Sequence, residues 1–238
     1  MLRRFPLNRD GTFIENFATE NHLWLTLLAL HSANKYFRGM VRDDGSQEIT
    51  HATATCCGLI DREILLFVPD IPINLVDEIL TVALLHDLIE NTNVTVNDIG
   101  KVFGKKVAHE VDLLTKRPEH KKDIRKYYRR VGRSIVTVLV KTIDKLNVAG
   151  SIIKVAKTAD RIEKQAGEAR IMLPIMKRMR KKYPVFKGML INCREAMKSI
   201  LIGIDAHIEV LRENEDLKKK NERLKKRVNK FKKKKKRK

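Results

Sequence analysis

Apolar residues recur along this chain at intervals of three and four, the spacing that lays one face of a helix against a core. The pattern predicts helices near 16–37, 51–59, 75–91, 95–101, 104–114, 121–131, 134–147, 157–181, and from 188 through 213 onward. Turn signals separate them: Asp43-Asp44-Gly45-Ser46, the stretch from Pro69 to Pro72, Arg117-Pro118 and Tyr183-Pro184. With only six prolines and eleven glycines in 238 residues, the expected fold class is all-α. Within "NTNVTVNDIGKVFG", Thr95 or Asn97 is available to cap a short helix. No repeat of solenoid period is present.

Near the C-terminus the period changes to seven. Val210, Leu217, Leu224 and Phe231 recur at that interval, with His207, Asn214, Asn221 and Val228 three residues before each. This is an a/d pattern with Asn at two a positions, a device that favours two strands and suits a homodimer. A solvated charged helix ending in disorder is the other reading of the same residues. The expected division is therefore 1–212 for the domain and 213–238 for a basic, heptad-patterned tail.

Charge sharpens that division. The formal net charge is +21, but residues 218–238 hold 12 Lys and 3 Arg against the single acid Glu222. The tail thus carries +14 and the first 217 residues only +7. A run of this kind attracts RNA or another polyanion without sequence preference, by counterion release. An anionic membrane surface and a solubilising end are the alternatives. No apolar run approaches the roughly 18–20 residues that cross a bilayer. Three cysteines, Cys56, Cys57 and Cys193, lack framework spacing, which points to a reducing, cytoplasmic compartment.

The candidate chemistry sits at the end of the most apolar segment, in "TVALLHDLIENTNV". His86 and Asp87 follow Val82 to Leu85 directly, and Glu90-Asn91 comes one turn later. Core helices gain nothing from an imidazole and a carboxylate placed there unless the pair anchors something. With His51 and Asp144 brought in from elsewhere, the set is two imidazoles and two carboxylates, a mixed N/O site for a divalent cation such as Mn²⁺, Fe²⁺ or Zn²⁺. Four protein ligands leave room for water and a phosphate oxygen, as hydrolysis requires. Glu90, on the same expected helical face, is placed to orient or deprotonate that water. Alone, a His-Asp dipeptide carries no chemistry, and Asp144 alone suits a cap or an ion pair. Lys141, Lys145 and Lys154 could offset phosphate charge, although most basic residues in a chain with 50 Lys and Arg are solvated surface, and His22, His31, His109, His120 and His207 read as surface or core residues.

The ordered set "H…LLHDLIENT…DIGKVFGKKVAHEVDLLTK…VKTIDKLN" resembles the HD-domain phosphohydrolases, in particular the RelA/SpoT-type alarmone (ppGpp) hydrolases and their small stand-alone relatives. The matching positions run from about Arg42 to Ser151 and continue more loosely through "EARIMLPIMKRMRKKYP". The resemblance implies an HD-domain helical bundle with a C-terminal basic helix or coiled-coil tail. It implies one ion, usually Mn²⁺, held by His51, His86, Asp87 and Asp144. It assigns Glu90 and Asn91 to the hydrolytic water, and Arg42, Gly45 and Ser151 to the nucleotide. The implied reaction removes pyrophosphate from the 3′ side of guanosine tetra- or pentaphosphate.

The chain also departs from the pattern. The family's Glu-Asp pair is Glu90-Asn91 here, and Asp43 stands where a basic residue is expected. Phe37 replaces a His found in many relatives, and Asn147-Val148 replaces His-Asn. Two other readings therefore stay open: a weakened, nucleotide-sensing module, and a nucleic-acid-associated protein that acts through its tail.

Overall fold

The computed structural model describes residues 10–42, 45–61, 71–155 and 158–235. Among these the chain is all helix, apart from an isolated bridge between Val41 and Gln47. Ten α-helices follow in order: α1 Gly11–Glu20, α2 Trp24–Tyr36, α3 Glu48–Asp61, α4 Ile73–Leu85, α5 Leu88–Asn91, α6 Val96–Leu114, α7 Ile124–Val131, α8 Ile135–Val155, α9 Ala159–Lys182 and α10 Lys187–Lys235.

Helix α8 is the hub. It packs on α3, α4, α6, α7, α9 and α10, and its opening residues Val136, Val138, Leu139 and Val140 are buried whichever way they point. Such a helix reads as apolar all round because it has no solvent face. Helix α4 packs on α2, α3, α6 and α8, and is buried continuously from Ile79 to Leu85. At Gly58, α3 approaches α8 so closely that an added Cβ would lie 2.6 Å from Ile143 Cγ2.

Four expected elements are divided differently. The stretch 16–37 is two helices, because the chain turns at Asn21 to Leu23, where His22 adopts φ +57°. Asp77 of α4 caps the second one, accepting from Leu25 N at 3.1 Å, Thr26 N at 2.8 Å and Thr26 Oγ1 at 2.6 Å. The two backbone donors are bare N–H groups of a helix start, so a carboxylate from a neighbouring helix does what a local cap usually does. The stretch 75–91 breaks at His86-Asp87 into α4 and α5. The two short helices expected between 95 and 114 form one element with a break at Gly104, whose φ of +86° and ψ of 160° are not helical. Thr95 is the cap, in a reciprocal capping box with Asp98.

Helix α10 is a single rod of 49 residues, about 73 Å long. It seals the core against α8 and α9 up to Ile208 and Leu211. From Arg212 to Asn229 every side chain is exposed. The helix therefore runs unbroken across the expected boundary at 212/213, and no frayed end appears among the described residues. Val210, Leu217, Leu224 and Val228 are each about half exposed, at 49–55%. The Phe231 side chain lies outside the described residues. No described helix is long and apolar enough to cross a membrane. Cys56, Cys57 and Cys193 are buried and carry no disulfide.

Candidate metal and nucleotide site

Three helices converge on one point. His51 lies in the first turn of α3, His86 and Asp87 form the turn that ends α4, and Asp144 sits midway along α8. The turn changes the expected geometry. On a continuous helix the side chains of His86 and Asp87 would diverge by about 100°. Asp87 leaves the helical conformation instead, with φ −102° and ψ 3°, and its Oδ2 comes within 3.3 Å of His86 Nε2.

Ligand-competent atoms of His51, His86 and Asp87 all lie within 4.8 Å of one another. His51 Nε2 is 3.6 Å from Asp87 Oδ2 and 3.1 Å from Asp144 Oδ1. Neighbouring ligands on an ion bound at about 2.0–2.2 Å sit about 3 Å apart, so these spacings suit a shared cation. His86 supplies an independent indication. Its Nδ1 is 2.8 Å from the carbonyl oxygen of Ala83, which fixes the N–H on that side. Its Nε2 is buried and has no hydrogen-bond partner. A bare, buried imidazole nitrogen beside two carboxylates is the environment of a metal-binding histidine.

Electrostatics prepare the same site. Burial raises the carboxyls of Asp87 and Asp144, but the neighbouring imidazoles and Lys141 reverse it. His86 and Lys141 hold Asp87 low, and Lys141 and His51 hold Asp144 well below the usual carboxylate range. The second oxygen of Asp144 pairs with Lys141 Nζ at 2.7 Å. Both acids are therefore ionised at neutral pH.

Above these residues opens a cleft of roughly 680 Å³, within the usual size of small-molecule sites. Glu90 and Asn91 of α5 line it, as expected. Glu90 Oε2 accepts from the backbone N–H of Lys116 at 3.0 Å, which ties α5 to the segment after α6. Arg42 lines the cleft too, but its guanidinium already donates to Glu48 Oε1 at 2.6 Å. Gly45 shapes the turn behind Arg42: its φ of +83° is one that glycine adopts without strain, and its N–H donates to Arg42 O at 2.9 Å. Ser151 stands on α8, and its side chain lies outside the described residues, as do Asp43 and Lys154. Phe37 is wholly buried in the core, and Val148 presents an apolar group to the cleft.

Other residues escaped the sequence reading or were weighed differently in it. Lys141 and Lys145, for which solvated surface was weighed above phosphate contact, are buried at 7% and 5% exposure and line the cleft. Lys116, Arg161 and Gln165 line it as well. Behind them Glu168 of α9 receives Lys145 Nζ at 2.7 Å, Lys116 Nζ at 3.3 Å and the Tyr128 hydroxyl at 3.1 Å. The Thr115-Lys116 dipeptide belonged to the recognised pattern and was the available clue. Arg161, Gln165 and Glu168 share a helix spacing that looks like any charged surface helix.

Comparison with known proteins agrees with the fold and with the resemblance read from the motifs. No family model matches the chain. Over 141 residues it is 28% identical to the bifunctional (p)ppGpp synthase/hydrolase SpoT of Escherichia coli strain K12. The guanosine-3′,5′-bis(diphosphate) 3′-pyrophosphohydrolases of Escherichia coli O157:H7 and Shigella flexneri match equally. The aligned region is 56% of this chain and 18% of each relative, so the chain spans less than a fifth of their length. A solved structure of a metazoan ortholog of SpoT that hydrolyses ppGpp superposes with a TM-score of 0.58 and 20% identity, covering 75% of this chain and 94% of that one. The resemblance to ppGpp hydrolases read from the motifs is borne out, and the all-α fold is shared.

Proposed function

We propose that this protein is a metal-dependent phosphohydrolase acting on a small nucleotide, with the 3′-pyrophosphate of ppGpp as its first substrate. The observation that carries the reading is the convergence of His51, His86 and Asp87, with Asp144 against His51, beneath a cleft walled by lysines and arginines. His51, His86, Asp87 and Asp144 would hold one divalent cation, most plausibly Mn²⁺. When bound, such an ion polarises the phosphate and acidifies water at neutral pH.

The chain's own residues do the rest. Lys116, Lys141, Lys145 and Arg161 line the wall along which a polyphosphate lies, and Lys141 also offsets the charge of Asp144. Glu168 fixes Lys145 and Lys116 so that their ammonium groups are ordered before substrate arrives. Glu90, held by the N–H of Lys116, orients the attacking water and takes its proton. Asn91 orients without accepting a proton. Arg42, Gly45 and Ser151 form the nucleotide side. Hydrolysis at the 3′ ester releases pyrophosphate and leaves a 3′ hydroxyl. The same reading puts the enzyme in the cytoplasm, with two alternative partners for the tail: RNA or another polyanion along 218–238, or a second copy of the chain through the heptads.

The test combines catalysis with direct binding. Pyrophosphate release from ppGpp would be measured with Mn²⁺ for the natural chain and Asp87→Ala, beside a thermal scan with and without Mn²⁺. Turnover that needs both the metal and Asp87 is expected. Saturating Mn²⁺ should raise Tm by about 5–10 °C, since binding at a hundredfold over Kd contributes about 2.7 kcal/mol. Asn91 favours one rival reading, a nucleotide-sensing module; it would be identified by a Tm rise with ppGpp and no product.

A further inference from the structure

We propose that the projecting end of α10, from Lys218 onward, is a nucleic-acid-binding arm that grips phosphate backbones by lying in a duplex groove. This does not depend on what the domain catalyses. Between Arg212 and Asn229 no side chain is buried, so the rod has no structural task for the core. Its charge changes abruptly along its length. Glu209, Glu213, Glu215 and Asp216 are acidic, and after them Glu222 is the only acid against 12 Lys and 3 Arg. The acidic collar would repel a polyanion from the domain end, so the footprint begins at Lys218.

The distribution around the axis decides between partners. Lys218, Lys219, Lys220, Arg223, Lys225, Lys226 and Arg227 spread over about 220° of the helix circumference, with Lys218 and Arg227 on opposite sides, and leave a stripe of Leu217, Asn221, Leu224 and Val228. An anionic membrane is a plane and serves one face, and a helix lying on it needs a broad apolar side. Here that side is only as wide as a coiled-coil seam and is interrupted by Asn214 and Asn221. A groove serves opposite faces together. A helix with its side chains is about 10–12 Å across, and the B-form major groove is about 12 Å wide with phosphates along both walls. The A-form groove of duplex RNA is deep and narrow, so it admits such a rod less readily. Lysines act as point charges rather than planar forks, so the arm reads charge and not sequence. From Lys218 to Lys235 the arm measures about 27 Å, roughly eight base pairs of B-form duplex. Pairing two bare arms sets like charges side by side, whereas phosphate neutralises them.

The test uses the full chain and a full-length variant carrying glutamine at 218, 219, 220, 225, 226 and 227. Fluorescence anisotropy would follow binding to random duplex DNA, duplex RNA of equal length, and phosphatidylserine vesicles. The expected result is tight DNA binding that falls by roughly 10³-fold or more between about 50 and 200 mM salt, the loss typical of six or more phosphate contacts. Duplex RNA should bind more weakly, and the glutamine variant should lose at least about 100-fold at low salt. Unchanged DNA binding by the variant, a salt-independent affinity, or capture by vesicles but not by duplexes would each overturn the proposal.

Discussion

Asn91 is the cleft residue that departs most from the family pattern in chemical character. It lines the cleft beside Glu90, where the family pattern has a second carboxylate, and an amide cannot accept a proton. Asn91→Asp should raise ppGpp turnover by at least about tenfold with little change in KM, because positioned acid–base groups contribute in the transition state. Pyrophosphate release checks it, and an unchanged kcat would mean that Glu90 suffices. Glu168 makes the complementary point about pH. Burial raises its carboxyl, but Lys145 and Lys116 more than reverse that, to about 2, against an ordinary value near 4.5. A carboxyl depressed in the folded state stabilises above its unfolded pKa, and the contribution disappears as pH falls from about 4.5 towards 2. Glu168→Gln should therefore lower Tm at pH 7 and flatten the acid limb of the stability curve, which thermal scans between pH 2.5 and 7 would record. A steep limb retained in the variant would mean that other carboxylates control it.

Helix contacts decide where the metal-competent residues end up. Gly58 lets α3 lie against Ile143 of α8, and those two helices carry His51 and Asp144. Gly58→Ala must push them apart and should cost about 1–3 kcal/mol, as overpacking does. It should also weaken Mn²⁺ binding, a loss that calorimetry separates from simple destabilisation. Most helices were legible because their apolar faces repeat at 3.6. The break at His86-Asp87 was not, since "VALLHDLIE" keeps that period through a turn, and the turn is what swings Asp87 onto the His86 nitrogen. Asp77 capping α2 from 51 residues away was equally invisible, because long-range capping leaves no local pattern. His51, His86, Asp87 and Asp144 were found by residue type and order. Glu168 was missed, and Lys141 and Lys145 were weighed towards the surface, because lysine and glutamate on a helix ordinarily mean solvent, and only packing showed them enclosed.

The division between body and arm has its own test. The last core contacts of α10 fall at Ile208 and Leu211, and beyond them Arg212 pairs with Glu163 at the surface. Ending the chain after residue 212 should leave Tm within about 2 °C and ppGpp hydrolysis unchanged, since exposed ion pairs are worth little. Loss of hydrolysis in that variant, with folding intact, would show that the arm serves the active site. The rod also governs how the protein travels. A compact chain of 238 residues has a radius of gyration of about 18 Å, and the arm beyond Arg212 adds about 36 Å in one direction. Friction depends on the longest dimension more than on mass, so a single copy will leave a gel-filtration column well ahead of compact chains of its length. Its sedimentation coefficient will be correspondingly low, so the pair of measurements tells a drumstick-shaped single copy from a dimer.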